Sequence, residues 1–331
     1  GGLWISESGG RAWRKYSDEL GNLNISCITQ APNGDIYFGT GEVYFVRYGS
    51  DGDGGSGFVG NGVWKKTANS SEFKHLSETD MGFINNNSNT DWSSVNELIA
   101  DPNDSTGNRI YAATSGGLKI SNNGGENWVD AVSAGPLSVN AIDVKVAIDS
   151  SGGSYVIAVG GPIGSNKIYM SPSGDPGTFV LTHNFDPSFG MSSQVGRIEI
   201  AISPSNSDIL YCAVSDNDGN GNMKGVFRSE DRAQSWEMIA YPNDDPNDPS
   251  YPINPELDIF TSQARYAMLL AVHPTNPDKL YAGGLDLWTW EKDKNWEKLT
   301  QWFYSYYPTF TDYLHADQHT MVFNPNNPNV L

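Results

Sequence analysis

The run GLKISNNGGENW at 117–128 limits what this chain can become more than any other stretch, because copies of it recur along the whole length. Leu118 and Ile120 alternate with Lys119, the period-two pattern of a strand with one buried face. Asn122, Asn123, Gly124 and Gly125 supply a tight turn, since Asn and Gly tolerate left-handed backbone and Asn side chains bond nearby N–H groups. Trp128 closes the unit with a ring able to bury ~150–250 Å² against a neighbour. Related turns end at Trp13, Phe73, Phe179, Trp236 and Trp296, spaced 51 to 60 residues apart. Self-similarity at such a period marks a repeat architecture.

A second signal keeps step with the first. A Pro-centred turn leading into a tyrosine strand appears at 31–40, 101–114, 203–214 and 273–284. It begins again at 324–331 and has a worn copy at 147–159. Apolar alternating strands occur at 25–30, 95–100, 141–148, 198–203, 268–272 and 320–323. Each repeat therefore predicts four strands: an apolar first, a tyrosine-bearing second, a third before the Gly/Asn/Asp turn, and a fourth opening at the anchor aromatic. Four-stranded antiparallel units at this period describe the blades of a β-propeller, with the first strand nearest the axis. A β-sandwich would not repeat one turn signature so regularly. The expected fold is all-β, a single propeller domain over residues 1–331 with about six repeats visible and ring closure left open. The chain begins within a strand unit and stops mid-pattern, which reads as part of a longer protein.

Composition narrows the function classes. With 36 Gly, 18 Pro and only 18% charged residues, the chain suits many short strands joined by turns and argues against helical bundles or disorder. The net charge of −19 repels phosphate backbones and anionic lipid, so nucleic acid is not an expected partner. No apolar run reaches the length of a membrane span, so membrane insertion is not expected. Cys27 and Cys212 each sit in an apolar strand-like run and read as buried free thiols rather than a disulfide framework.

The turn motif resembles the Asp-box, or bacterial-neuraminidase repeat, Ser-x-Asp-x-Gly-x-x-Trp. Ser229, Asp231 and Trp236 match it, with Ala233 in the Gly place. Ser121, Gly125 and Trp128 match with Asn123 for Asp, and Ser6, Gly10 and Trp13 match with Ser8 for Asp. Ser171 to Phe179 is a looser copy with one inserted residue. The pairing of a Pro turn and Leu-Tyr strand with such a box is most similar to the sortilin/xyloglucanase branch, found in secreted surface proteins of Bacteroidetes-type bacteria. The resemblance implies a secreted or cell-surface propeller whose box turns lie on the edge away from the binding face. The sialidase Arg-Ile-Pro segment with its arginine triad is absent, and so is the xyloglucanase-like opening TDIGG.

Connectors in such a repeat alternate between two edges. The first-to-second and third-to-fourth turns are uniformly short. The insertions fall on the other edge, at 39–62, 77–94, 183–195, 215–225, 241–265 and 300–317. Long loops on one edge of a rigid repeat scaffold mark a binding face. Three features lie there. Asp216, Asp218 and Asn220 follow the D-x-D-x-N-G spacing of calcium loops, although Phe227 stands where an EF-hand has Glu, and a bare Asx/Gly turn is the alternative. His315, Asp317 and His319, if extended, point to one side near the axis as a transition-metal or ligand-contact set. Similar HxDxH runs recur at this strand position in the resembling branch, which favours a structural role. Trp302, Tyr304, Tyr306 and Tyr307 form an aromatic loop suited to stacking on sugar rings or on a protein partner, the alternative being a loop folded on itself. Arg197 and Arg265 start first strands at the top of the channel, with salt bridging inside the acidic face as the default.

The preferred reading is a non-catalytic binding propeller that recognises glycan or protein through the long-loop face. A glycoside hydrolase with paired carboxylates is the alternative, and Asp80, Asp91, Asp186, Asp258 and Asp312 are its available acids. A packing module of a surface assembly, or a surface for the rest of its own polypeptide, is a third reading.

Overall fold

The computed structural model describes residues 2–16, 19–42, 59–81, 91–161, 164–185, 195–216, 221–240, 259–260, 263–302 and 312–330. A two-stranded sheet comes first, β1 (Trp4–Ile5) and β2 (Arg14–Lys15). Five four-stranded sheets follow. They are β3 (Ile25–Gln30), β4 (Ile36–Thr40), β5 (Val63–Lys66) and β6 (Lys74–His75); then β7 (Val95–Ala100), β8 (Ile110–Thr114), β9 (Gly117–Ser121) and β10 (Val129–Asp130). The next two are β11 (Ala141–Ile148), β12 (Ser154–Gly160), β13 (Lys167–Ser171) and β14 (Val180–His183); then β15 (Val195–Ile202), β16 (Leu210–Asp216), β17 (Met223–Ser229) and β18 (Glu237–Ala240). The last is β19 (Leu269–Val272), β20 (Lys279–Gly283), β21 (Leu287–Glu291) and β22 (Glu297–Lys298). Within each sheet the strands lie side by side in chain order. Two 3₁₀ turns, Ser77–Thr79 and Pro136–Ser138, lie among the described residues.

Strands β3, β7, β9 and β11 have the bounds the residue pattern predicts, because each is a long alternating run between turn residues. β15 starts earlier than the expected 198, since Val195 pairs with Asp216 across a register shift. The segment 320–323 forms no ladder. It keeps the alternation: Met321 and Phe323 are half-buried while Val322 is 75% exposed. The Phe323 ring lies 5.7 Å from Tyr281 and 5.6 Å from His273.

The chain packs as two compact units. One comprises Gly1–Ile148, Gly152–Pro162 and Tyr169–Val180, and the other Asp149–Ser151, Ile163–Ile168 and Leu181–Leu331. In the first unit, Tyr37, Val95, Leu98 and Ile110 belong to one apolar cluster, and Tyr111, Leu118, Ile120 and Val144 to another. In the second, Tyr211, Met268, Leu280 and Trp290 share a core.

Three recurring devices join successive sheets. The first is the hairpin turn before each fourth strand. Ser229 Oγ accepts the Ala233 N–H at 3.0 Å, and Asp231 Oδ1 accepts the Ser235 N–H at 2.8 Å. Ser121 and Asn123 do the same for Gly125 at 2.8 Å and Asn127 at 2.9 Å. Ala233 occupies the left-handed region at φ 66° where the related turn at Gly125 has φ 87°, a conformation that disfavours a Cβ. The anchor aromatic after the turn packs on the preceding sheet. Trp296 Nε1 donates to Ile239 O at 2.8 Å, Trp236 lies 6.3 Å from the His183 ring, and Phe73 lies 5.3 Å from Tyr16. Trp13 departs from this expectation. It is 61% exposed, because among the described residues no sheet precedes its own to cover it.

The second device is a buried tyrosine that the sequence motif alone did not cast in this role. Tyr37, Tyr111 and Tyr211 are fully buried, each with a cation over its ring: Lys65 at 5.2 Å, Arg109 at 5.5 Å and Arg228 at 5.9 Å. Each pair reaches the next sheet's turn. Lys65 donates to Gly124 O at 3.1 Å and Arg109 to Asp175 at 2.7 Å, while Tyr211 Oη donates to Pro277 O at 2.8 Å.

The third device lies on the first strands. Register shifts occur at the same place in β3, β7, β11 and β15. A bulge re-aims a side chain. Here Ser26 Oγ reaches Val95 O at 2.5 Å and Asn96 Nδ2 reaches Ala141 O at 2.8 Å, each one sheet further on.

Candidate functional site

Strict chain order within each sheet puts alternate connectors on opposite edges. Turns such as 101–109 and 122–128 are short and saturated with their own hydrogen bonds. Asp104, for example, accepts from the Thr106, Asn108 and Arg109 N–H groups at 3.0, 2.8 and 2.8 Å. Within each sheet the long connectors start and end at the other edge. The described part of that edge is where the candidate residues can be placed.

Arg197 sits in the β15 bulge rather than projecting into a channel mouth. Its guanidinium donates to Tyr266 O and to Glu199, both at 2.7 Å, so it joins β15 to the connector before β19. Arg265 is half-buried in that connector. The His319 ring meets Tyr266 edge-on at 4.6 Å. Burial, and then the Arg197 charge, push the His319 imidazole below its usual pKa, against the pull of Asp317.

The three residues His315, Asp317 and His319 do not share one face as the extended reading required. Asp317 adopts φ 69°, which breaks the alternation, and the Gln318 amide turns back to His315 O. His315 Nδ1 lies 3.0 Å from Ala316 O and the residue is exposed. Nothing in this geometry gathers the three around one ion.

Trp302 is 38% exposed and its backbone N–H donates to Asp286 Oδ1 at 2.6 Å. Asp286 is itself buried and ion-paired to Lys298 at 2.7 Å. The root of the aromatic loop is thus pinned to a charged pair, while Tyr304, Tyr306 and Tyr307 lie outside the described residues. Asp216 ends β16 fully buried. Its Oδ1 accepts the Asn222 N–H at 3.0 Å and its Oδ2 lies 3.5 Å from Lys224 Nζ. Asp218 and Asn220 lie outside the described residues, and no group of three or more His, Cys, Asp or Glu that could hold a metal ion occurs among those described. Because Lys224 already offsets the Asp216 charge, a chelator such as EGTA is expected to leave the melting temperature unchanged. A fall of several degrees on chelation, reversed by calcium, would support the calcium reading.

Of the candidate acids, Asp186 and Asp258 lie outside the described residues. Asp80 is 3.7 Å from His75, and Asp312 is exposed. Asp91 shares the buried Lys119 ammonium with Asp130, at 2.5 and 2.6 Å. Burial works against that ammonium, but the hydrogen bonds to Asp130 and Asp91 outweigh it and raise its pKa. Sequence reasoning missed a second arrangement of this kind on the first strands. Lys145 lies 2.8 Å from Asp143 and 3.6 Å from Glu97. The signal was present: Cys27, Glu97 and Asp143 each follow the bulge in their own strand, Arg197 lies within the β15 bulge, and the last three are charges inside otherwise apolar runs.

No protein-family model matches the chain, and no curated protein matches it. Solved structures do. The glycoside hydrolase family 74 xyloglucanase of Xanthomonas campestris superposes with a TM-score of 0.55 at 17% identity, over 90% of this chain and 42% of that one. An ancestral family 74 enzyme gives a TM-score of 0.51 at 16% identity, over 83% and 31%. The fold is a β-propeller fold. The chain spans less than half the length of either enzyme, and at these identities the likeness establishes the fold alone.

Proposed function

We propose that the chain acts on a polysaccharide outside the cell, as a propeller domain of a glycoside hydrolase that forms part of a longer protein. The observation that carries this reading is the gathering of the long connectors on one edge of sheets whose opposite edge is closed by short, self-bonded turns. The structural likeness to a xyloglucanase supplies the substrate class. The hairpin turns serve as Asp-boxes on the far edge, fastening sheets rather than meeting ligand. None of the described helices is long and apolar enough to cross a membrane.

One observation favours the second reading, glycan binding without cleavage. Asp91 with Asp130, and Glu97 with Asp143, each share a lysine. Glycoside hydrolysis needs one carboxyl protonated beside one ionised, and a shared ammonium favours two charged ones. A panel of soluble xyloglucan, mixed-linkage glucan, arabinan and galactan separates the readings. Release of reducing ends supports the hydrolase. Retarded migration in a polysaccharide-containing native gel without release supports the binding propeller. Neither effect with any polymer overturns the glycan reading and leaves a protein partner.

A further inference from the structure

The turns after β7, β9, β11 and β13 border a cavity of about 620 Å³ within the first compact unit. Its walls carry Asp101, Asp104, Asp175 and Arg109, together with Asn122 and Ser154. The volume falls within the ~300–1,000 Å³ of small-molecule sites. Most of the charged groups are spent on their neighbours. Asp104 accepts four hydrogen bonds, from the Thr106 N–H and Oγ1 and from the Asn108 and Arg109 N–H groups. Arg109 Nη2 donates to Asp175 at 2.7 Å, and its Nε donates to Tyr111 Oη at 2.6 Å.

Asp101 differs. The residue is only 5% exposed. Its Oδ1 accepts from Ser154 Oγ at 2.7 Å and from the Asn103 N–H at 3.0 Å. Its Oδ2 makes no hydrogen bond among the described residues. The turn itself asks for no more than one acceptor at this position. In two other repeats Ser203 Oγ accepts the Asn206 N–H and His273 Nδ1 accepts the Thr275 N–H, both at 3.3 Å, and another repeat has Ala31 there. The second carboxylate oxygen therefore exceeds what the turn requires, and a buried charged oxygen without a partner is unfavourable. Arg109 Nη1 also makes no hydrogen bond among the described residues, while Nε and Nη2 hold the guanidinium in place. The Asp101 N–H donates to Arg109 O at 3.0 Å, so the two residues are neighbours across the turn.

Three carboxylates against one guanidinium leave the walls negative, which favours a cation. An ammonium offers donors only and suits the open carboxylate oxygen, while the spare guanidinium N–H needs an acceptor. A ligand with an ammonium beside a hydroxyl supplies both. An α-amino acid supplies the ammonium too, but carries a carboxylate that these walls repel. We propose that this cavity binds a protonated amino sugar, its ammonium on Asp101 Oδ2 and a neighbouring hydroxyl on Arg109 Nη1. The site is separate from the long-connector edge and does not depend on the glycan reading above.

Calorimetric titration of the whole chain at pH 6 with glucosamine, N-acetylglucosamine, glucose and lysine tests it. Glucosamine is expected to bind saturably and at least about tenfold more tightly than the other three, the scale of a hydrogen bond to a charged group. Asp101→Asn keeps the shape and the Oδ1 acceptor but removes the charge, and is expected to weaken glucosamine binding by about tenfold or more. Should that variant not fold, Asn122→Lys places a cation at the exposed rim and is expected to weaken binding in the same direction. Glu126→Gln, at an exposed acid outside this cavity, should change nothing. Lysine bound as tightly as glucosamine would overturn the sugar assignment. Glucose or N-acetylglucosamine bound as tightly would remove the ammonium contact. Absence of saturable glucosamine binding, or an unchanged affinity in folded Asp101→Asn, would overturn the proposal outright. Native-gel retardation by a polysaccharide without glucosamine binding would sink this inference alone, and the converse would sink only the glycan reading.

Discussion

Tyr211→Ala is expected to destabilise the unit that carries β15–β22 by about 3–5 kcal/mol, and Tyr211→Phe by about 1–2 kcal/mol. Tyr211 is fully buried on β16. Its ring packs edge-on to Trp290 at 6.0 Å and lies in the core that also holds Leu280 and Met268. Truncation to Ala removes those contacts and leaves a cavity that rigid strands close only in part. The hydroxyl does separate work. It donates to Pro277 O at 2.8 Å and accepts from Arg228 Nε at 3.2 Å. Arg228 is itself only 4% exposed and is held by Glu230 and Asp278. The Phe variant keeps the packing but strands a buried carbonyl and a guanidinium N–H, which sets the smaller figure. Urea unfolding followed by tryptophan fluorescence reads both, since Trp290 sits against the substituted ring. Equal losses for the two variants would show that the hydroxyl, not the ring, holds β16 to the turn at 273–278.

The same residue shows what the chain of letters could and could not disclose. That a tyrosine strand recurs is visible from the sequence, and so are the limits of β3, β7 and β11, because apolar alternation and turn residues are local properties. That Tyr111 and Tyr211 each join an arginine that reaches the following sheet is not local. Arg109 precedes its tyrosine by two residues, whereas Arg228 comes from the next strand, and their acceptors Asp175 and Asp278 lie in the following sheets. Trp13 carries the same motif as Trp128 and Trp236, yet it is exposed, since burial depends on partners that the motif does not encode. For the site, the clustering of long connectors on one edge follows from strand order alone. The pairing of Lys145 with Glu97 required the register between two sheets, and Asp317 required a backbone angle that no alternation pattern announces.

Raising the pH should unfold the chain in step with the ionisation of its buried tyrosines, between about pH 10 and pH 12. Burial is the main cause that pushes Tyr111 and Tyr211 from 10.0 up to about 12, with Arg109 and Arg228 opposing it only in part. Burial also raises Tyr37, against the pull of Lys65. In the unfolded chain the same phenols ionise near their ordinary value. Their folded pKa lies above the unfolded one, so the stability they contribute is complete below pH 10. Above it the unfolded state loses protons that the folded state keeps, and that stability drains away as pH climbs toward 12. A rise of this size is worth about 3 kcal/mol for each of the two tyrosines, one in each compact unit. Phenolate absorbance should therefore show a majority of the 16 tyrosines titrating first, and a late group titrating together with the loss of the native tryptophan fluorescence. Tyr111→Phe removes one of the late protons. It should shift the alkaline transition of its unit to higher pH relative to its own neutral-pH stability, even though the variant is less stable at pH 7. A single tyrosine titration near pH 10 with the fold intact would mean that these hydroxyls are open to water, and would remove the basis for the sheet-to-sheet fastening assigned to them.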